Sequence, residues 1–247
     1  MIRRLLRRAL GCTRDLVLGP PVISMVDELI RRDRRWETFL CAMEYVNYEA
    51  VPGDILEFGV FTGKSLALFA KALSFDETGA SRRLVGFDSF EGLGASVDDH
   101  ARWRPGDCAR SHGWHPLLRE GDPVTPAATR VLFEACGLPA PELVVGPYRE
   151  TVPATIGSKV TEVALVHVDC DLYEAAREVL FGIEPALQDG AMVLFDDWFH
   201  YKGDPNKGEA RALREFLSAH PHWEAVHYRS YGVFCNAFIM HRRETPA

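Results

Sequence analysis

The sequence lacks long hydrophobic runs, paired cysteines and an excess of positive charge. Because no apolar run approaches the roughly 20 residues that a membrane span needs, no transmembrane helix is predicted. The six cysteines form no Cys-x-x-Cys pair and no disulfide-scaffold spacing, which is typical of a reducing compartment, so we expect a cytoplasmic protein. The formal net charge of −7 argues against nucleic acid as a partner. Internal repeats are absent too, and 247 residues suffice for one large domain with a full core.

The amino-terminal segment differs from the rest of the chain. Residues 1–19 form a basic arm in which arginines interrupt the leucines, whereas a signal peptide needs an unbroken apolar region. Such an arm can contact a membrane surface or a partner subunit, and a frayed tail explains it equally well. Residues 20–50 have helical spacing, broken at 31–35 by charged residues that we expect to be solvated. The apolar face of these helices leads us to expect a homo-oligomer.

A strand, a glycine turn and a helix follow. The strand at 54–58 carries Glu57 at its end, and Gly59 and Gly63 flank the turn. This order is the nucleotide-binding start of a doubly wound α/β sheet. The turn is one residue too short for a P-loop, and Phe61 replaces the second glycine of the dinucleotide fingerprint. The turn therefore suits a ligand with an ammonium and a carboxylate better than one with phosphates.

The next strand, at 84–88, ends on Asp88. An acid in this position of a doubly wound sheet accepts hydrogen bonds from both hydroxyls of a ribose. A helix N-cap is the alternative role, and the glycine turn upstream favours ribose.

Two later strands, at 163–168 and 191–195, also end on acids. Asp169 follows the first strand, and Asp196 and Asp197 follow the second. A helix between the strands makes them parallel neighbours, so their carboxyl ends meet at one sheet edge. Three converging carboxylates repel one another, and a hard divalent cation such as Mg²⁺ would relieve this. The alternative is that the acid pair caps the next loop and Asp169 is solvated.

The remaining pattern predicts the rest of the sheet and a lid. Residues 94–124 are rich in turn formers, aromatics and histidines, which is typical of a loop that covers a site. The other predicted elements are helices at 125–136, 173–188 (closed by a cap at Asp189-Gly190) and 209–219, strands at 142–146, 223–228 and 233–240, and a loop at 148–153.

Four motifs occur in a fixed order. They are Leu56-Glu-Phe-Gly-Val-Phe-Thr-Gly-Lys-Ser65, Gly86-Phe-Asp-Ser-Phe-Glu-Gly-Leu93, Asp169-Cys-Asp-Leu-Tyr173 and Asp196-Asp197. Over residues 50–240 the chain resembles the macrocin O-methyltransferase family (TylF/MycF type) of class I S-adenosylmethionine-dependent methyltransferases. The resemblance implies a Rossmann-like, mostly parallel seven-stranded sheet with a reversed terminal strand. It also implies S-adenosylmethionine as methyl donor, Mg²⁺ as cofactor, and a methyltransferase domain at 51–247.

The resemblance assigns roles to named residues. The acceptor would be a small-molecule hydroxyl, in this family that of a sugar or glycoside, and Asp169, Asp196 and Asp197 match the metal ligands. For the general base we predict Asp169, with Asp171 or His200 as alternatives; Asp171 could instead orient a ligand. The predicted donor-binding residues are Glu57, Phe58, Gly59, Val60, Gly63, Lys64, Ser65, Asp88, Ser89, Phe90 and Asp169.

Two other functions compete with methyl transfer. A phosphotransferase could use Gly63, Lys64 and Ser65 with Asp196 as a Walker-B-like acid, although the short loop argues against it. A non-catalytic partner in a biosynthetic complex could dock through the basic arm, although retention of every acid argues against that.

Overall fold

The computed structural model describes residues 24–75, 81–98, 100, 102–113 and 115–243. The predicted basic arm, residues 1–19, lies outside this part of the chain. None of the described helices combines the length and the hydrophobicity that a membrane crossing requires.

A seven-stranded sheet forms the centre of the fold, with strand order β3-β2-β1-β4-β5-β7-β6. Strands β1 to β5 are parallel, and β7 runs antiparallel to both of its neighbours. The predicted doubly wound sheet with a reversed terminal strand is therefore confirmed. The strands are β1 (Asp54–Phe58), β2 (Leu84–Asp88), β3 (Glu142–Val145), β4 (Val163–Val168), β5 (Leu187–Phe195), β6 (Trp223–Tyr231) and β7 (Cys235–Arg242).

Helices cover both faces of the sheet, and two apolar clusters fill the space beneath them. Every residue of β4 is buried, as expected for a strand with neighbours on both sides. The helices are α1 (Met25–Arg32), α2 (Trp36–Tyr48), α3 (Lys64–Leu73), α4 (Pro126–Ala135), α5 (Tyr148–Thr155), α6 (Tyr173–Ile183) and α7 (Gly208–Ala219).

The predicted helix at 173–188 is too long. Helix α6 ends at Ile183, a short 3₁₀ turn covers Glu184–Ala186, and β5 already begins at Leu187. Pro185 explains the early end, because proline offers no backbone N–H to continue the helical ladder. The predicted cap at Asp189-Gly190 is consequently wrong, since both residues lie within β5.

The predicted loop at 148–153 is also wrong, because these residues belong to α5. Pro147 precedes the helix, and Pro153 lies inside it. An internal proline is unfavourable in a helix. The packing of Val152 in the core, where it is 1% exposed, compensates for that cost.

Candidate active site

A cavity of about 970 Å³ opens at the carboxyl edge of the parallel strands. Its wall includes the turn after β1, the end of β2, and the acids after β4 and β5. Strands β4 and β5 are parallel neighbours, with Val168 paired to Phe195, so Asp169 and Asp196 leave the sheet side by side. Within the described chain, the topology thus brings together the motifs that the sequence singled out.

The turn after β1 is shaped by Gly59. Its φ of +96° is a conformation that other residues rarely adopt, and a Cβ at this position would lie 1.7 Å from the carbonyl oxygen of Asp169. Gly63 adopts a left-handed conformation before the first residue of α3. The turn therefore places a helix amino terminus, with its unpaired N–H groups, on the cavity wall.

Asp88 fixes the loops at the end of β2. Its Oδ2 accepts a hydrogen bond from the backbone N–H of Phe61 at 2.7 Å, and its Oδ1 accepts one from Phe90 at 2.7 Å. Burial raises the pKa of Asp88, and these N–H groups partly offset that effect. Asp88 also lines the cavity, so a ligand bound there can reach its carboxylate.

A buried polar chain links the interior of the sheet to the acids. His167 Nδ1 lies 2.9 Å from Glu57 Oε1, and both side chains are fully buried. His167 Nε2 lies 3.6 Å from Asp196 Oδ1, long for a hydrogen bond but close for a charge pair. Burial lowers the pKa of His167, but the neighbouring carboxylates of Asp196 and Glu57 outweigh that effect and raise the pKa to about 10.

Arg35, which precedes α2, reaches the same acids from above the sheet. Its Nη1 donates to Asp196 Oδ1 at 2.7 Å and lies 3.4 Å from Asp169 Oδ2. Burial alone would raise the pKa of Asp196, but the charges of Arg35 and His167 hold it well below its usual range. The prediction of a solvated break at 31–35 is thus wrong at Arg35, whose side chain is only 18% exposed.

For the other acids, burial favours the neutral form. Burial and the charge of Asp196 raise the pKa of Asp169 well above its usual value. The same two causes raise the pKa of Asp171 to about 7. Asp171 has a φ of +62°, and its backbone N–H donates to Asp197 Oδ2 at 3.2 Å. The backbone at Asp171 is thus held in an uncommon conformation, and Asp171 and Asp197 both lie on the cavity wall.

Asp197 connects this cluster to α7. Its backbone N–H donates to Glu209 Oε2 at 2.9 Å, and Glu209 is 1% exposed. Burial, with the charges of Asp171 and Glu209, raises the pKa of Asp197 well above its usual value. His200 Nε2 lies 3.5 Å from Asp197 Oδ1.

An aromatic stack borders the acids. The ring of Trp103 lies 4.7 Å from that of His200, nearly parallel to it, and 4.0 Å from that of His100. Burial and the charge of His100 lower the pKa of His200. Trp103 itself lines the cavity. The predicted lid is thus anchored beside the acids, and Glu174 holds it through Ser96 and the backbone of Val97.

The acids suit a hard divalent cation. Asp169, Asp196 and Asp197 all line the cavity, and their donors are carboxylate oxygens, which Mg²⁺ prefers. Among the described residues, the group of three whose ligand atoms lie within 4.8 Å of one another is Glu57, His167 and Asp169. The side chains of Asp169, Asp196 and Asp197 are not mutually that close in this structure. We favour the three aspartates, because Glu57 and His167 are fully buried and already bonded to each other. The donor set therefore fits the metal implied by the resemblance.

Most of the residues predicted for the site line the cavity. These are Gly59, Val60, Lys64, Ser65, Asp88, Ser89, Asp169, Asp171, Asp196 and Asp197. Glu57 and Phe58 do not: Glu57 is bonded to His167, and the Phe58 ring stacks on Phe87 with centroids 4.6 Å apart. Gly63, Phe90 and His200 adjoin the wall without being part of the described lining. These roles in binding and catalysis stay predictions.

Sequence reasoning missed Arg35, His167 and Glu209. Arg35 belongs to a charged run, His167 to an otherwise apolar strand, and Glu209 to the first turn of a helix. The neighbouring sequence does not distinguish Arg35 or Glu209 from a solvated charged residue. His167 was the one residue that could have indicated the buried polar chain, because a histidine within a fully buried strand needs a polar partner.

Comparisons with known proteins agree on one family. The family model for macrocin-O-methyltransferase (TylF) matches residues 21–221. A Streptomyces olivaceus protein, 8-demethyl-8-(2,3-dimethoxy-alpha-L-rhamnosyl)-tetracenomycin-C 4'-O-methyltransferase, is 30% identical over 168 residues. That match covers 67% of this chain, and the chain spans about 60% of the length of that relative.

Solved structures share the architecture. CalS11, a calicheamicin methyltransferase, is 28% identical with a TM-score of 0.59, over 92% of this chain and 89% of its own. The O-methyltransferase NovP is 21% identical with a TM-score of 0.62, over 85% of this chain and 80% of its own. A Bacillus cereus O-methyltransferase in complex with SAH is 15% identical with a TM-score of 0.55, over 94% and 97%. The match to the family model covers most of the sequence, and the fold agrees with it, so this chain belongs to the macrocin-O-methyltransferase (TylF) family.

Proposed function

We propose that this chain is an S-adenosylmethionine-dependent O-methyltransferase that methylates a sugar hydroxyl of a small natural product and uses Mg²⁺. One observation carries the proposal: a single cavity holds Asp88, suited to a ribose, together with Asp169, Asp196 and Asp197. Membership of the TylF family supports the reaction type.

The donor, S-adenosylmethionine, supplies the methyl group on a positively charged sulfur. Asp88 accepts hydrogen bonds from the two ribose hydroxyls, and the turn at Gly59–Gly63 receives the methionine end. Lys64 follows that turn and lines the cavity, where its cation can pair with the donor carboxylate. Two structural neighbours are described in complex with SAH or SAM, which supports the same donor for this chain.

Chemistry at the acceptor needs orientation and a base. The hydroxyl oxygen attacks the methyl carbon, the carbon–sulfur bond breaks with its electrons left on sulfur, and the products are a methyl ether and S-adenosylhomocysteine. The hydroxyl proton passes to a carboxylate or imidazole at the acid cluster. Asp169 stays the first candidate for this base, and Asp171 and His200 stay the alternatives.

Asp169, Asp196 and Asp197 would hold the Mg²⁺ ion, which when bound would supply Lewis-acid activation of the acceptor hydroxyl. A sugar hydroxyl is otherwise a poor nucleophile at neutral pH. The bond from Asp171 to Asp197 and the contact between His200 and Asp197 keep one of these ligands oriented.

The charge of the cavity indicates which kind of sugar it accepts. Of the relatives, the Streptomyces olivaceus protein is named for a rhamnosyl glycoside, whereas CalS11 is named for TDP-rhamnose. The described lining holds nine Asp or Glu residues and four Lys or Arg residues. Because the acids outnumber the cations of the lining even when the two charges of a bound Mg²⁺ ion are counted, the phosphates of a nucleotide sugar would be repelled there, and we infer a neutral glycoside as acceptor. Trp103 offers an aromatic face for its sugar or aglycone.

The competing functions receive less support. A P-loop phosphotransferase has no counterpart among the comparisons, which match methyltransferases. A non-catalytic partner would not need the acids that line the cavity.

The proposal also includes a homo-oligomer. Light scattering measures the molar mass that tests this part of the proposal. The five described cysteines are free thiols.

The test is direct. The purified full chain is incubated with S-adenosylmethionine carrying a deuterated methyl group, Mg²⁺ and a panel of rhamnosyl glycosides. Mass spectrometry should then detect a labelled methyl ether and an equal amount of S-adenosylhomocysteine. If the chain binds the donor product but labels no sugar hydroxyl in the panel, the proposed acceptor class is wrong.

A further inference from the structure

Arg35 lies where two of the proposed metal ligands face each other. One nitrogen, Nη1, is 2.7 Å from Asp196 Oδ1 and 3.4 Å from Asp169 Oδ2. Asp196 Oδ1 also accepts from the thiol of Cys235 at 3.3 Å and faces the ring of His167. That oxygen is therefore already saturated with donors. The guanidinium of Arg35 thus lies against both carboxylates and offsets part of their negative charge.

Arg35 is held in this place by its own segment. Its Nε and Nη2 donate to the two carboxylate oxygens of Asp33, at 3.0 and 2.9 Å, and its backbone N–H also donates to Asp33. This fork leaves Nη1 to point at the acids. Helix α2 begins at the next residue, and Phe39 anchors it by stacking on Phe69 with ring centroids 4.2 Å apart. The guanidinium is thus preorganised rather than a loose surface charge.

We propose that Arg35 competes with the divalent cation for Asp169 and Asp196, so that the metal binds only as the Nη1 contact is given up. This inference rests on the proposed function, because it assumes that the acids hold a metal. A magnesium ion requires oxygen ligands at 2.0–2.1 Å in near-octahedral geometry. A guanidinium fixed on two of the same carboxylates would repel the ion and would engage oxygen lone pairs that the ion needs as ligands.

The consequence is a low affinity for the metal, and the guanidinium of Arg35 is its cause. While Arg35 is in place, it offsets part of the negative charge of the acids, so they attract the metal less strongly. Removal of the guanidinium charge leaves the carboxylates unpaired, so the metal should bind more tightly. The opposite role is also testable: if Arg35 merely orients the two carboxylates for the metal, its loss should weaken binding.

Calorimetric titration of Mg²⁺ into the full chain separates these roles. Arg35→Gln and Arg35→Met both remove the charge, and the methionine keeps an apolar stem near the ring of Phe39. Arg35→Lys keeps a cation. Arg34→Gln is the matched control, because it removes the same charge from an exposed neighbouring position. Circular dichroism verifies that each variant is folded.

We expect both neutral variants to bind Mg²⁺ at least tenfold more tightly than the wild type. Arg35→Lys should stay within about threefold of the wild type, and so should Arg34→Gln. The melting temperature of the neutral variants should also rise more on addition of Mg²⁺ than that of the wild type. Equal or weaker binding by both neutral variants overturns the competition.

Failure of the inference and failure of the proposed function give different results. If the wild type binds Mg²⁺ and the neutral variants bind it no better, only the competition is wrong. If no variant binds Mg²⁺ while S-adenosylhomocysteine still binds, the metal is wrong and the competition with it. If the chain binds no S-adenosylhomocysteine, the methyltransferase proposal itself fails.

Discussion

The guanidinium of Arg35 donates to the carboxylate of Asp196 across 2.7 Å, although 161 positions of sequence separate them. This contact joins the amino-terminal helices to the carboxyl edge of the sheet. Asp196 in turn faces His167, which is bonded to Glu57 in the interior of β1. The proposed metal site is therefore built on a charge network that extends from a surface helix to the core.

Asp88 should control donor affinity. In Asp88→Asn, an amide replaces the carboxylate, and its NH₂ group cannot accept from the N–H of Phe61 or Phe90 or from a ribose hydroxyl. Loss of charge-assisted hydrogen bonds of about 1.5–3 kcal/mol corresponds to a tenfold to hundredfold weaker affinity for S-adenosylhomocysteine. Calorimetry measures this affinity. The control is Asp54→Asn, which removes a carboxylate at the start of the neighbouring strand β1. Unchanged affinity in Asp88→Asn would remove Asp88 from the donor site.

Gly59 should tolerate no side chain. In Gly59→Ala the new Cβ would lie 1.7 Å from the carbonyl oxygen of Asp169. We expect a loss of roughly 3 kcal/mol or more in the free energy of unfolding, measured by urea denaturation. Gly157→Ala is the matched control, since Gly157 has a φ of +80° with no heavy atom within 4 Å of a built Cβ. It should lose only the backbone strain, about 1–2 kcal/mol. Equal losses would contradict the close approach at Gly59.

Lys64 should make stability depend on pH. Burial, together with the charge of Arg35, lowers its pKa from 10.5 to about 8. Between these values the unfolded chain binds more protons at this site, so the wild type gains stability as pH rises from 8 to 10.5.

The variant Lys64→Met removes this gain. At pH 7 it should be more stable than the wild type, by roughly 2 kcal/mol, and the difference should shrink as pH rises above 8. Lys159→Met, at an exposed position, is the control and should show no such trend. If the free energies of unfolding of wild type and Lys64→Met differ by the same amount from pH 7 to 10, burial does not lower the pKa of Lys64 and the prediction is wrong.

The acceptor preference should follow charge. A neutral rhamnosyl glycoside should have a kcat/KM at least tenfold higher than a nucleoside-diphosphate rhamnose, because phosphates are repelled by the acidic lining. In Glu178→Gln and Glu91→Gln, which reduce the negative charge of the wall, the KM for the nucleotide sugar should fall severalfold while that for the glycoside changes little. A wild-type preference for the nucleotide sugar would contradict the inferred acceptor class.

Local sequence pattern was enough for most of the sheet. The strands at 54–58, 84–88 and 163–168 were predicted with the observed bounds, because buried parallel strands are short aliphatic runs that end on polar residues. Their order along the chain then requires the acids to share one edge. The bounds of β5 were missed because Pro185 ends the preceding helix earlier than its apolar spacing indicates.

Long-range side-chain pairing could not be predicted in this way. Arg35 lies in a run of charges that is typical of a solvated loop, and its partners are 134 and 161 positions away. Nothing within that run shows that Asp33 directs the guanidinium inward. Glu209 was likewise placed correctly on a helix, but its burial beneath Asp197 depends on how that helix packs on the sheet.

The central claim is that Asp169, Asp196 and Asp197 form a metal site that activates the acceptor beside a separately bound donor. The variant Asp196→Asn tests it most directly, with methyl transfer and S-adenosylhomocysteine affinity measured on the same preparation. We predict a loss of turnover of at least about a hundredfold, with donor-product affinity within about threefold of the wild type. Turnover at the wild-type rate in Asp196→Asn would contradict the account.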